Sequence, residues 1–132
     1  MKSLMTLLWV LLVLIVGQPV SASTDICHLA SQAVKMEQKD IDEFYKAHVA
    51  RRLLTERGVV KSVKQTAGGA VKGNYQVEII CSPNVIVRLQ TNEFWVKRQN
   101  VVKDATVSFS GECTRMHKSL KSLVCVMRAT IR

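Results

Sequence analysis

Apolar positions along this chain change their spacing twice. After Thr24 and Asp25 they fall at Ile26, Leu29, Ala30, Ala33, Val34, Ile41, Phe44, Tyr45 and Val49, while Lys35, Glu37, Lys39 and Asp42 take the other side. That is the spacing of one helix face packed on something apolar. Thr24 and Asp25 suit the first-turn cap, because their side-chain oxygens accept from otherwise unpaired N–H groups. Gln38-Lys39-Asp40 interrupts the stripe, and Asp40 with Glu43 offers a capping box for a restart. One long helix and two short ones both satisfy the segment 23–50.

From Leu53 the period becomes two. Leu53 to Val63 reads as a strand with Gly58 as a candidate bulge or bend, and Gln65 to Asn74 as a glycine-rich loop. Tyr75, Val77, Ile79 and Cys81 alternate with Gln76, Glu78 and Ile80, then Ser82-Pro83-Asn84 turns the chain. Val85, Val87 and Leu89 alternate with Ile86, Arg88 and Gln90. Thr91 to Gln99 holds Phe94, Trp95 and Val96 and suits a short helix or irregular cover. Ala105, Val107, Phe109, Gly111 and Cys113 alternate with Thr106, Ser108, Ser110 and Glu112. A basic loop from Thr114 to Ser122 leads to a last strand through Leu123, Cys125, Met127, Ala129 and Ile131. Five strands with a helical insert between the third and fourth, after an N-terminal helix, predict a mainly β fold: a five-stranded OB-fold-like barrel over 51–132.

The first 22 residues are different in kind. Lys2 precedes an apolar run from Leu4 to Val16, followed by Gly17-Gln18-Pro19 and the small-residue end Val20-Ser21-Ala22. A basic start, an apolar centre and a small-x-small end make a secretory signal peptide over 1–22. The run is shorter than the roughly twenty residues of a membrane span, so no span is expected after cleavage. Cys27 follows Thr24-Asp25-Ile26, which is no lipid-attachment context. A periplasmic or secreted protein is expected, and a cytosolic enzyme and a multi-pass membrane protein are excluded.

Three segments carry a family resemblance: Gly58-Val59-Val60-Lys61-Ser62-Val63, Lys103 to Cys113, and Leu123-Val124-Cys125. Over roughly Phe44 to Ile131 the chain resembles the secreted OB-fold proteins grouped as tRNA-anticodon-binding-like, small exported bacterial domains. It departs from their pattern at Lys103 and Arg115, where those proteins often carry Gly. The resemblance implies the barrel and leaves the role open.

Four cysteines in a small exported chain predict two disulfides, because the compartment is oxidising and the core is small. Register selects Cys113–Cys125: opposing these two sets Gly111 against Met127, Phe109 against Ala129 and Val107 against Ile131, all on apolar parity, with the turn centred on Ser119. Cys27–Cys81 follows by elimination. A zinc site would rest on Cys113-x-x-x-His117 with Cys81 and Cys125, but no CxxC pair or HxxxH supports it, so no metal or cofactor is expected.

Catalytic equipment is sparse. His28, His48 and His117 stand apart, and no nucleophile elbow, zinc-protease helix or Ser-x-x-Lys motif occurs, so no catalytic residue is assigned. Charge is the remaining signal: 19 Lys plus Arg against 10 Asp plus Glu, a net charge of +9. Arg51, Arg52, Arg57, Lys61 and Lys64 gather along the first strand. In OB-folds the second and third strands with their bordering loops form the usual ligand groove. The candidate groove is therefore Lys72, Tyr75, Arg88, Trp95, Arg115, Lys118 and Lys121. A basic rim suits a polyanion, and the expected role is a binding module for an anionic ligand or an envelope protein partner. Single-stranded nucleic acid is the alternative, with Tyr75 and Trp95 as stacking platforms. An effector or inhibitor without a recognisable motif is the third reading.

Overall fold

The helical stripe divides into two helices. The computed structural model describes residues 25–66 and 74–132; the expected signal peptide over 1–22 and Lys72 lie outside the described residues. Helix α1 spans Ile26–Ala33 and α2 spans Gln38–Phe44, prolonged by a π-helical turn over Tyr45–Val49. Asp25 caps α1, its Oδ1 accepting from the N–H of Cys27 at 3.1 Å and of His28 at 3.5 Å. The expected capping box does not form. The break falls earlier, where Met36 N–H bonds the Ala33 carbonyl at 3.0 Å, so Asp40 and Glu43 both lie inside α2.

The barrel follows as expected in order and exceeds expectation in strand length. Its elements are β1 Leu54–Gln65, β2 Asn74–Ser82, β3 Val85–Asn92, α3 Glu93–Arg98, β4 Thr106–Ser119 and β5 Ser122–Ile131. The strands close in the order β1-β2-β3-β5-β4, antiparallel except for the parallel β3–β5 pair. Closure leaves few unpaired strand edges. Leu54, Val60, Val77, Ile79, Val87, Leu89, Phe109, Leu123, Met127 and Ile131 fill the interior, and Ile26, Leu29, Ala30, Ala33 and Ile41 of the helices are buried with them.

Gly58 is not the bulge of β1. It stands in the ladder opposite Val107, and a Cβ there would strike the Ile79 side chain, so glycine is needed for interior room. The ladder to β2 instead shifts between Val60 and Ser62. Just before β4, Asp104 holds a left-handed backbone, at φ 71°. Aspartate tolerates that region better than most residues.

The β4–β5 hairpin corrects the expected register. Cys113 opposes Met127, Gly111 opposes Ala129 and Phe109 opposes Ile131; beyond a shift between Cys113 and Arg115, Met116 opposes Cys125. Up to Cys113 the pairing is offset by two residues from the expected one, which keeps every side chain on its own face, so parity does not distinguish the two there. Beyond the bulge the offset is three, and Met116 rather than Arg115 takes the inward position. Gly111 decides between them: a Cβ there would overlap the Arg128 carbonyl, an approach only glycine permits. The basic loop expected over Thr114 to Ser122 is mostly strand, and the turn is the pair Leu120-Lys121 between Ser119 and Ser122. Consequently Cys113 and Cys125 are not bonded; both are free, buried thiols. Cys27 and Cys81 do form a disulfide, with Cα atoms 5.4 Å apart, joining α1 to the end of β2.

Past Glu112, β4 outruns its pairing with β1, and the N-terminal helices take over that edge. Gln38 Oε1 accepts from Lys118 N–H at 2.9 Å while its Nε2 donates to the Met116 carbonyl at 3.3 Å. Tyr45 Oη donates to the Cys113 carbonyl at 2.9 Å. These bonds satisfy backbone groups that a strand end would otherwise leave to solvent.

Candidate functional site

The ladders fix which side chains share the outer surface, because alternate residues of a strand point to opposite faces. One outward row runs Val59, Ile80, Ile86, Val124 and His117 across β1, β2, β3, β5 and β4. The next row runs Ser62, Glu78, Arg88, Val126 and Arg115. An apolar stripe thus lies directly beside a charged one.

The apolar row is partly open to water. Val59 is 48% exposed and Ile80 42%, while Val124 is only 3% exposed although it belongs to the outward row. Val124 floors a notch with Ile86, Arg88 and the turn residues Ser119 to Ser122, a cavity of about 580 Å³. Leu120, at the crest of that turn, is 100% exposed and holds φ 56°. Sequence reasoning missed these residues. The signal was an apolar residue on the polar parity of three strands: Ile80 after Ile79, Ile86 between Val85 and Val87, Val124 between Leu123 and Cys125. A half-solvated strand ordinarily carries polar residues at such positions.

The charged row is mainly cationic. Arg88 Nη2 pairs with Glu78 Oε1 at 3.4 Å, and its Nε is buried without a hydrogen-bond partner. Arg115 Nε donates to His117 Nδ1 at 3.2 Å. Burial, then the guanidinium groups of Arg115 and Arg88, hold His117 below the ordinary imidazole value, so the face is electropositive around a neutral ring.

Of the sequence-predicted groove, Arg88, Arg115 and Lys121 come together here. Lys118 sits at the end of β4 on the parity opposite His117, its backbone held by Gln38. Tyr75 and Trp95 lie elsewhere. They line a second cavity of about 660 Å³ at the barrel end beside α3, with Asn74, Gln90, Thr91, Asn92 and Arg128. Thr91 Oγ1 is buried there without a partner. The cations and the aromatics of the expected groove therefore occupy separate places.

The zinc alternative is not assembled. Cys81 is in the disulfide, and His117 faces outward while Cys113 and Cys125 are buried. Asp25, Cys27 and Glu56 also cluster, but Cys27 Sγ is bonded to Cys81, and the Cys27 N–H is shared between Asp25 Oδ1 and Glu56 Oε2. That cluster secures the start of α1.

No family model matches the chain, and no curated protein matches it. What the chain can do is therefore read from this surface: an aliphatic stripe, a notch and three cations beside one paired carboxylate.

Proposed function

We propose that this protein is an exported OB-fold-like binding module that takes an anionic ligand or an acidic envelope protein on the outer face of β2, β3, β5 and the β4–β5 turn. The observation carrying this reading is the placing of Arg88 beside the aliphatic row, on one rung with Arg115 across Val126 and in the notch with Lys121, with Glu78 as the only acidic residue in the two rows. Electropositive surface raises the local concentration of anions and steers their approach. The Cys27–Cys81 disulfide supports an oxidising compartment, in agreement with a periplasmic or secreted location. The likeness to exported tRNA-anticodon-binding-like domains points the same way and adds no substrate.

Nucleic acid is the weaker reading. Sequence-tolerant single-strand binding relies on broad aromatic platforms, and no Phe, Tyr or Trp lies in either row of this face, where the His117 imidazole is the one ring. Tyr75 and Trp95 line the other cavity, where Arg128 is the one cation among the described lining residues.

Heparin and a thymidine oligonucleotide, titrated at low and moderate salt, test the proposal. Wild-type protein is expected to bind heparin, and the double variant Arg115→Glu, Lys121→Glu to lose binding at an unchanged thermal midpoint. Equal binding by wild type and variant would overturn it.

A further inference from the structure

We infer that the partner on this face is a protein segment pairing aliphatic with acidic side chains, and that Leu120 is its apolar anchor. The inference rests on the anionic-partner reading above and names the partner's chemistry.

The exposed leucine is the starting point. Leu120 is wholly in solvent, and it occupies the left-handed region, which favours glycine and disfavours a bulky residue. A two-residue hairpin turn is ordinarily built from Gly, Asn or Asp. Leucine here gains nothing from folding on either count. Such an outlier points to function when a use is adjacent, and the adjacent feature is the notch floored by Val124 and Ile86.

The apolar row then extends away from the notch through Ile86 and Ile80 to Val59. At about 4.8 Å per strand, these four positions cover roughly 14 Å. Arg88 and Arg115 stand two residues along their strands, about 7 Å to one side, and Lys121 is at the turn. A ligand matching both stripes needs aliphatic groups next to carboxylates.

Other anions match only half of this pattern. A glycosaminoglycan or polyphosphate uses the cations and leaves the aliphatic row wet. A nucleic acid wants broad π-faces, and the row offers only the half-buried His117 imidazole, bonded to Arg115. An anionic bilayer would receive Leu120, but a membrane takes convex tips, whereas Val124 and Ile86 floor a concavity that receives a protruding side chain. A protein segment fills the notch, covers the row and supplies the carboxylates together.

The test selects random displayed dodecapeptides on the purified full chain, then measures the enriched peptides by titration. Enrichment of aliphatic residues near Asp or Glu is expected, with affinity falling at least tenfold in Leu120→Ser and in Ile80→Thr. Both variants are expected to keep the wild-type thermal midpoint, since both sites are exposed. Heparin binding should be nearly unchanged in these two and lost in Arg115→Glu, Lys121→Glu. No enriched motif, or peptides indifferent to Leu120→Ser, would overturn the inference while heparin loss in the charge variant leaves the broader reading standing. Leu120-dependent binding to phosphatidylglycerol vesicles without peptide binding would overturn it in favour of a membrane. Heparin binding that survives charge reversal would instead defeat the broader reading itself.

Discussion

Cys113 and Cys125 both face the barrel interior from neighbouring strands, although the two residues are not opposed in the β4–β5 ladder. Cys113 opposes Met127 and Cys125 opposes Met116, so the two lie diagonally across the strand pair, and Cys113 Sγ donates to the Arg115 carbonyl at 3.4 Å. Both are buried and both are free. Iodoacetamide is therefore expected to leave the native protein unmodified. Unfolding without reductant should then expose two thiols, those of Cys113 and Cys125, which peptide mass mapping identifies. Modification at Cys27 or Cys81 under those conditions would contradict the disulfide assignment.

Interaction between the two thiols divides the titration of the pair. It draws Cys113 below the ordinary thiol value and, together with burial, pushes Cys125 well above it. Above the ordinary value of 9.0 the unfolded chain releases the Cys125 proton while the folded barrel retains it. That contribution is present below about pH 9 and is lost as pH rises toward the folded value. Cys113 acts in the opposite sense, adding stability as pH climbs from its lowered value to the ordinary one. The stability of wild type against urea should therefore fall above pH 9, and Cys125→Ala should flatten that decline. A decline of the same slope in the variant would assign it to other groups.

The Cys27–Cys81 bond spans a sequence separation of 54 and ties α1 to the barrel. By loop-closure entropy, a cross-link of this length contributes about 4 kcal/mol. The double variant Cys27→Ala, Cys81→Ala is expected to lose a comparable amount in chemical denaturation. Amide exchange should quicken first in α1, whose start depends on the Asp25 and Glu56 contacts to Cys27. A loss below about 1 kcal/mol would mean that helix packing alone holds α1 in place.

How far the sequence reached follows from what each signal encodes. Alternation identifies a strand and its buried face, so the five strands, the α3 insert and the inward Val77, Ile79, Val87 and Phe109 were all legible. Register was not, because a shift of two before Cys113 leaves alternation intact and the bulge between Cys113 and Arg115 then switches the inward parity; the clue lay in Gly111, whose need for a missing Cβ shows only once Arg128 is placed beside it. The cations were legible as composition, but not their grouping. Arg88, Arg115 and Lys121 converge because β3 and β5 pair in parallel, a contact that no local pattern encodes. Leu120 was concealed by the same error of register, which placed it inside a longer basic loop.

Gly111 offers a direct test of that register. Gly111→Ala would drive a methyl group into the Arg128 carbonyl, which is backbone and has little room to move. Overpacking of this kind costs about 1–3 kcal/mol, and the denaturation midpoint should fall with an unchanged slope. If Gly111 instead faced Met127, whose flexible side chain can yield, the same substitution would be nearly neutral. A neutral result would therefore favour the alternative pairing.

His117 reports the field of the binding face from within it. Burial lowers its pKa most, and Arg115 then Arg88 lower it further. Each arginine disfavours the protonated ring, and Arg115 also donates to Nδ1, which only an unprotonated nitrogen can accept. Removing either charge should raise the pKa toward its ordinary value of 6.5 while leaving the part due to burial. Arg115→Gln is expected to give the larger rise and Arg88→Gln the smaller, both read from the imidazole proton shifts against pH. Because the folded pKa lies below the unfolded one, His117 contributes stability above pH 6.5 that is lost as pH falls through the folded value. An acidic partner seated between Arg88, Arg115 and Lys121 would oppose their field and raise the same pKa. Saturating an enriched acidic peptide should therefore shift His117 upward in wild type and leave it unmoved in Arg115→Glu, Lys121→Glu, which no longer binds. An unchanged His117 in a saturated wild-type complex would place the bound peptide away from this face.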